Sequence, residues 1–197
     1  MAINLVKGQK VNLRKENTKE NIKRVMVGLG WDEVVQEEKE PEKKDIDCDA
    51  LAILCKNGKL QEFNKDVVFY NNLRHASGAI AHQGDNLFGG DGVADDEQIF
   101  VDLSGLEDEY DRIIFAVTIY DAKARNHHFG LFTNAFIRVC DTVSGNEICR
   151  YNLAEDYSGK TALIVGEFIN ENGEWKFVAI GQGTEDDGVL EVAKRFK

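Results

Sequence analysis

Between Gly84 and Glu97 the chain reads Gly-Asp-Asn-Leu-Phe-Gly-Gly-Asp-Gly-Val-Ala-Asp-Asp-Glu, with four glycines, five carboxylates, one asparagine and no basic residue. At an effective dielectric of about 20, two carboxylates about 4 Å apart repel by roughly 4 kcal/mol, so a loop that gathers several of them needs a counter-charge. Donors that are all oxygen, without His or Cys, suit a hard cation, and glycines let the backbone bend and offer carbonyls as further ligands. Asp85, Asn86, Asp91, Asp95, Asp96 and Glu97 are the side-chain candidates, with Gly89 as a carbonyl donor. Calcium, which takes about 6–8 oxygens in flexible geometry, fits such a set better than magnesium, which demands a tight octahedron. The Asp95-Asp96-Glu97 run leads directly into an apolar alternation. If strand geometry begins there, Asp95 and Glu97 point one way and Asp96 the other, which implies two neighbouring ions or one ion plus a structural contact. The pair Leu87-Phe88 stands inside this otherwise polar loop and is a candidate contact for a membrane or protein partner.

Other motifs carry less chemistry. Asp45-x-Asp47-x-Asp49 imitates the start of an EF-hand loop. It lacks glycine at the sixth position (Ala50) and glutamate at the twelfth (Lys56), and it enters a β pattern instead of a helix. A carboxylate of this run can still approach the glycine loop from a neighbouring strand. His127 and His128 are adjacent and have no further His or Cys at ligand spacing. Neither a strained Gly-x-Ser-x-Gly elbow nor a Ser or Cys set beside a His and an acid is present, so no catalytic residue is assigned.

The elements that must hold these residues are short β runs between turn signals, with a single proline and little helical periodicity. The expected fold is all-β, an antiparallel β-sandwich with short peripheral helices, forming one domain over residues 1–197. Strands are expected at Lys10 to Leu13, Arg24 to Trp31, Ala50 to Cys55, Val67 to Tyr70, Ala79 to His82 and Gln98 to Leu103. Further strands follow at Arg112 to Tyr120, Ala135 to Asp141, Glu147 to Leu153, Thr161 to Ile169 and Glu174 to Gly181. The run from Ile113 to Tyr120 is apolar on both parities and reads as a central strand covered on both faces. Asn172-Gly173 supplies the positive φ angles of a tight hairpin, which would put Trp175, Phe177 and Ala179 on one face. Glu33 to Lys44, dense in charge and containing Pro41, reads as a mobile connection. Gly188 to Lys197 reads as a short amphipathic helix with Val189, Val192 and Phe196 inward.

Composition narrows the partners. With 35 acidic against 24 basic residues the formal charge is -11, which argues against binding a phosphate backbone. No apolar run suits a signal peptide or reaches the roughly 18 residues of a spanning helix, so a cytoplasmic protein is expected, peripheral at most to the inner membrane face. Cys48, Cys55, Cys140 and Cys149 lack metal-type spacing and read as small buried thiols. The separation of Cys48 from Cys55 places them on opposite faces of a shared strand.

Several ordered motifs together resemble the TerD family of tellurite-resistance and stress-response proteins. They are Val27-Gly28-Leu29-Gly30-Trp31-Asp32, Asp47-x-Asp49-Ala50, Val68-Phe69-Tyr70-Asn71-Asn72, and Gly84-Asp85-Asn86 through Asp95-Asp96-Glu97. Ile119-Tyr120-Asp121-Ala122, Phe129-Gly130, Asn134-Ala135-Phe136-Ile137-Arg138 and Gly173-Glu174-Trp175-Lys176-Phe177 follow in the same order. The resemblance spans Leu5 to about Leu190. It implies a non-enzymatic calcium-binding β-sandwich with two closely placed ions, acting in bacterial stress responses. It also implies that Asn71, Asn72, Asp47 and Asp49 lie near those ions. Partners consistent with it are calcium, other stress-response proteins or a membrane surface. The family loop is similar to Gly-Asp-Asn-x-Thr-Gly-x-Gly-x-Gly-Asp-Asp-Glu. Here it is one residue longer, with Phe88 at the threonine position and Ala94 before the acids, and His75-Ala76-Ser77 stands where relatives often carry an acid.

Overall fold

Alternating apolar residues organise the chain into two six-stranded sheets in a computed structural model that describes residues 2–15, 20–33, 46–84 and 95–197. The strands are β1 (Ile3–Leu5), β2 (Lys10–Asn12), β3 (Arg24–Glu33), β4 (Cys48–Lys56), β5 (Val67–Val68), β6 (Ile80–His82) and β7 (Glu97–Asp102). They continue with β8 (Tyr110–Ile119), β9 (Phe132–Asp141), β10 (Glu147–Asn152), β11 (Ala162–Glu171) and β12 (Glu174–Thr184). Three short helices accompany them, α1 (Phe63–Asp66), α2 (Ala122–Arg125) and α3 (Val189–Lys194). One sheet runs β1-β10-β9-β3-β7-β6 and the other β2-β12-β11-β8-β4-β5. All neighbours are antiparallel except β1, which lies parallel to β10.

The double apolar parity of β8 is used as the sequence implies. Ile113, Phe115, Val117 and Ile119 face the opposite sheet, while Ile114 and Ala116 join a second apolar cluster with Val189, Val192 and Ala193 of α3. Phe168 sits at the centre of the main core, edge-on to Phe115 at 4.9 Å and to Phe177 at 5.9 Å. The β11–β12 hairpin turns through Asn172 (φ 57°) and Gly173 (φ 83°), the left-handed pair that a two-residue hairpin demands. Phe177 and Ala179 are buried on the face that Trp175 also packs against. Cys48 belongs to the inter-sheet core and Cys55 to the outer cluster, as their spacing requires, and all four cysteines are free and buried.

The structure adds β1, and it ends β5 at Val68, where Phe69 to Asn72 close a turn through reciprocal backbone hydrogen bonds of 3.1 and 2.8 Å. Residues 34–45 and 85–94 lie outside the described residues. With them lie the connection beyond Glu33 and the candidates Asp85, Asn86, Leu87, Phe88, Gly89 and Asp91. Among the described residues, no helix is long and apolar enough to cross a membrane.

Candidate functional site

Antiparallel pairing brings the acidic candidates to one end of the sandwich. On one sheet, β3 ends at Glu33 and β7 begins at Glu97, with Leu29 opposite Glu97. On the other, β4 begins at Cys48, opposite Ile119 at the end of β8. The short link from Asp102 to Tyr110 ties the far end of β7 to the start of β8, so Asp32, Asp95, Asp96 and Glu97 share an end with Asp47 and Asp49.

Asp95 is held most tightly. Its side chain is fully buried and accepts from Arg138 Nε at 2.7 Å, Arg138 Nη2 at 2.9 Å and Gln98 Nε2 at 3.0 Å. Arg138 and Gln98 are the register partners of Gly28 on the two strands flanking β3. The carboxylate therefore lies across Gly28, where a Cβ would come within 2.3 Å of Asp95 Cγ. A glycine in mid-strand marks such a close approach. Asp95 keeps the Arg138 guanidinium protonated well above its ordinary range. Arg138 also reaches Glu147 at 3.3 Å, and Glu147 accepts from Arg150.

Asp96 departs in another direction. Its carboxylate accepts from the Trp31 N–H at 2.7 Å, and its own N–H donates to the Leu29 carbonyl at 2.8 Å. The β3–β9 register shifts between Gly30 and Asp32, and the Asp96 oxygen takes up the Trp31 donor within that irregularity. Burial pushes the Asp96 carboxyl up from its ordinary value. The Trp31 N–H opposes this, while the neighbouring charges of Asp32 and Asp95 add to it. Asp32 accepts from Asn134 Nδ2 at 2.9 Å. Glu97 turns inward with Ile99 and Val101, and its Oε2 lies 2.9 Å from His82 Nε2. The Gly84 N–H donates to His82 Nδ1 at 3.0 Å.

These positions correct the parity expectation. The strand begins at Glu97 and Asp96 occupies a bend, so regular alternation does not extend back to Asp95. Asp95 shares the outer face with Gln98, while Glu97 faces the interior. The candidates on the other sheet are also set apart. Cys48 points into the inter-sheet core, so Asp49 projects from the opposite, outer face of its sheet, beside Tyr70. Asp47 is exposed and its carbonyl accepts from the Tyr120 N–H. Asn71 is exposed at the tip of the Phe69–Asn72 turn, and Asn72 Nδ2 donates to the Val67 carbonyl at 2.7 Å, within its own turn. Asp49 and Asp95 thus sit on opposite outer faces of a two-sheet sandwich, and sheets pack about 10 Å apart, so they do not meet around one ion.

The donor set fits calcium in part. Asp96, buried beside two other acids, with Asp32 and Glu97 close along the chain ends, supplies hard oxygens at the point where the acidic loop rejoins β7. Asp95 does not fit a ligand role: both its oxygens are taken by a guanidinium that would itself repel a divalent ion. Among the described residues, no group of three or more His, Cys, Asp or Glu is arranged to hold a metal without the loop. Arg138, Gly28, Asp32 and His82 carry no metal-ligand signature in sequence. Of these only Gly28, a glycine inside an apolar alternation, signals its role.

By class, the fold and site define an antiparallel β-sandwich domain with an acidic strand end fed by a glycine-rich loop. The TerD domain matches residues 1–196. The chain is 41% identical over 202 residues to stress response protein SCP2 of Bacillus subtilis (strain 168), covering 100% of both chains. It is 44% identical over 184 residues to tellurium resistance protein TerD of Serratia marcescens, covering 93% of this chain and 91% of that one. The crystal structure of a homologue of telluride resistance protein (TerD) from Streptomyces coelicolor A3(2) shares the fold, with a TM-score of 0.65 at 24% identity over 90% of this chain and 99% of that one. The chain belongs to the TerD family.

Proposed function

We propose that the protein is a non-enzymatic, calcium-binding stress-response protein of the tellurite-resistance type, taking about two ions at the acidic strand end. The observation that carries this reading is Asp96, a buried carboxylate whose charged neighbours are Asp32 and Asp95, with the nearby Arg138 committed to Asp95. A bound divalent cation would relieve that crowding. Asp96 and Asp32 would hold one ion and Glu97 another, together with the loop donors Asp85, Asn86, Asp91 and the Gly89 carbonyl. The different directions taken by Asp96 and Glu97 favour two centres over one. Asp95 acts as the anchor that fixes the end of the loop to β3 and β9. The stress-response role rests on the names carried by the relatives.

Calorimetric titration with calcium and with magnesium, paired with thermal melts in calcium and in chelator, tests the reading. Saturable calcium binding with about two sites, lost in Asp96→Asn, is expected. At a hundredfold excess over Kd, calcium should stabilise the fold by about 2.7 kcal/mol. A melt indifferent to chelator together with no heat on calcium injection would overturn it.

A further inference from the structure

A serine set beside a histidine and an acid, absent from the sequence expectations, is assembled by the fold at His75-Ala76-Ser77. This turn leads into β6, and Asp102, at the far end of β7 from Glu97, donates its N–H to the Ala79 carbonyl. The turn therefore lies at the end of the sandwich opposite the acids. Ser77 Oγ is 2.7 Å from His75 Nδ1, and the Ser77 N–H donates to the same nitrogen at 3.2 Å. On the inner side of the ring, Nε2 stands 3.3 Å from the Tyr110 hydroxyl and 3.6 Å from Asp66 Oδ1. Ser77 is exposed, whereas His75 and Asp66 are buried, so the imidazole bridges a surface hydroxyl and an interior carboxylate.

The chain has four serines, each followed by a glycine, and the other three are paired differently. Ser104 Oγ donates to Asp102 at 2.6 Å, Ser144 Oγ to Asp141 at 2.7 Å, and Ser158 pairs with Asp156. Against the opposing effect of burial, hydrogen bonds hold Asp102 and Asp141 below the ordinary carboxylate range, and the Ser158 bonds do the same for Asp156. Carboxylates so stabilised are poor proton acceptors. At His75 burial holds the ring below its ordinary range, so near neutral pH it is uncharged and able to take a proton. The groups that face it are Asp66 and Lys65 of α1, Glu107 of the link before β8, and Tyr110 of β8. Beside the hydroxyl there is open space, since a side chain begun at Gly78 would meet nothing within 4 Å.

We propose that Ser77 is an acyl acceptor, its Oγ attacking the carbonyl carbon of an activated ester of a small carboxylic acid while His75 Nδ1 takes the hydroxyl proton. The new Oγ–C bond replaces the bond to the leaving alcohol, which departs with the proton that His75 returns. The ring is neutral again and Ser77 carries the ester. Asp66, 3.6 Å from Nε2, positions the ring and stabilises its transient positive charge. The site is independent of the calcium reading, because no residue of the loop or of the acidic end takes part.

The test incubates the full chain with 4-nitrophenyl acetate, and in parallel with an alkyl fluorophosphonate, whose serine adduct resists water. Acid-quenched samples are mapped by tandem mass spectrometry. Ser77 should be phosphonylated at least roughly tenfold faster than Ser104, Ser144 or Ser158, with acetate transfer in the same order, since proton transfer to a positioned base contributes about 100-fold or more. Its rate should level off once pH passes about 6.5, where the ring is already neutral, while the other serines keep climbing with hydroxide. His75→Gln should slow Ser77 roughly tenfold and leave the other three unchanged. A histidine that only caps the turn, as the three aspartates do, predicts none of this. Ser77 reacting with the fluorophosphonate no faster than the other serines, a rate that climbs with hydroxide throughout, or an undiminished rate in a folded His75→Gln overturns the proposal. Should that variant not fold, the pH profile of the parent decides alone.

Discussion

The close seat of Asp95 on Gly28 makes a quantitative prediction. In Gly28→Ala the new Cβ would lie 2.3 Å from Asp95 Cγ and Oδ1, whereas ordinary contact begins at 3.4 Å, so the carboxylate must retreat by about 1 Å. Neither neighbour can absorb that shift, because Gly28 lies in a strand paired on both sides. Bonds now at 2.7 and 2.9 Å to Arg138 would stretch beyond hydrogen-bonding distance. Two charge-assisted bonds contribute about 1.5–3 kcal/mol each. Rehydration of Arg138, whose side chain is 25% exposed, and the better strand propensity of alanine return part of this. The expected net loss is about 2–4 kcal/mol. Urea unfolding followed by the fluorescence of Trp31 and Trp175 measures it. Asp95→Ala supplies the control, since with the carboxylate gone the alanine at position 28 has nothing to displace. The double variant should then be about as stable as Asp95→Ala alone, giving a coupling of about 2–4 kcal/mol. A Gly28→Ala protein within about 0.5 kcal/mol of the parent, or additive penalties in the cycle, would refute the reasoning.

Three further outcomes follow from the core. Burial holds the His75 ring below its ordinary titration range against the opposing pull of Asp66, so the folded state binds this proton less readily than the unfolded chain, which takes it near pH 6.5. The stability this group contributes is present above about pH 6.5 and lost as pH falls; urea midpoints across that window should decline, and His75→Gln should flatten the decline. Tyr110→Phe removes the hydroxyl that donates to buried Asp66 at 2.7 Å and should cost about 1–3 kcal/mol in the same assay. Burial pushes the Cys55 and Cys149 thiols up to about 12. A thiol-specific colorimetric reagent should find none of the four cysteines in the native protein and all of them in urea.

The architecture was readable wherever period-two patterning decided it. The double parity of Ile113 to Ile119, the Asn172-Gly173 turn, the opposed Cys48 and Cys55 and the inward Val189 and Val192 each follow from residue spacing alone. β1 escaped because Ile3-Asn4-Leu5 buries only Leu5, too short an alternation to register, and its partner β10 lies nearly 150 positions on. At the site, the acids were legible as acids, but their partners were not. Asp95 meets Arg138 across a sheet, and no local rule connects positions 95 and 138. The split of Asp95 from Glu97 depends on where the bend at Asp96 falls, which is a boundary, and boundaries are the least determined feature of a sequence pattern. The outward direction of Asp49, by contrast, follows from the inward direction of Cys48 one residue earlier.

The placement of β1 and β2 has a consequence for the order of assembly. Ile3 aligns with Cys149, and Val11 with Phe177, so two strands early in this sequence dock on two that are made more than a hundred residues later. β3 and β4 find their partners sooner, in β7 and β8, and a half-built sandwich can form while β1 and β2 still wait. Until β10 and β12 have been made, Ile3, Leu5 and Val11 have nothing to lie against. Of the described strands, β1 and β2 therefore wait longest in synthesis for their partners, and their docking along the two sheet edges closes the longest loops of the fold.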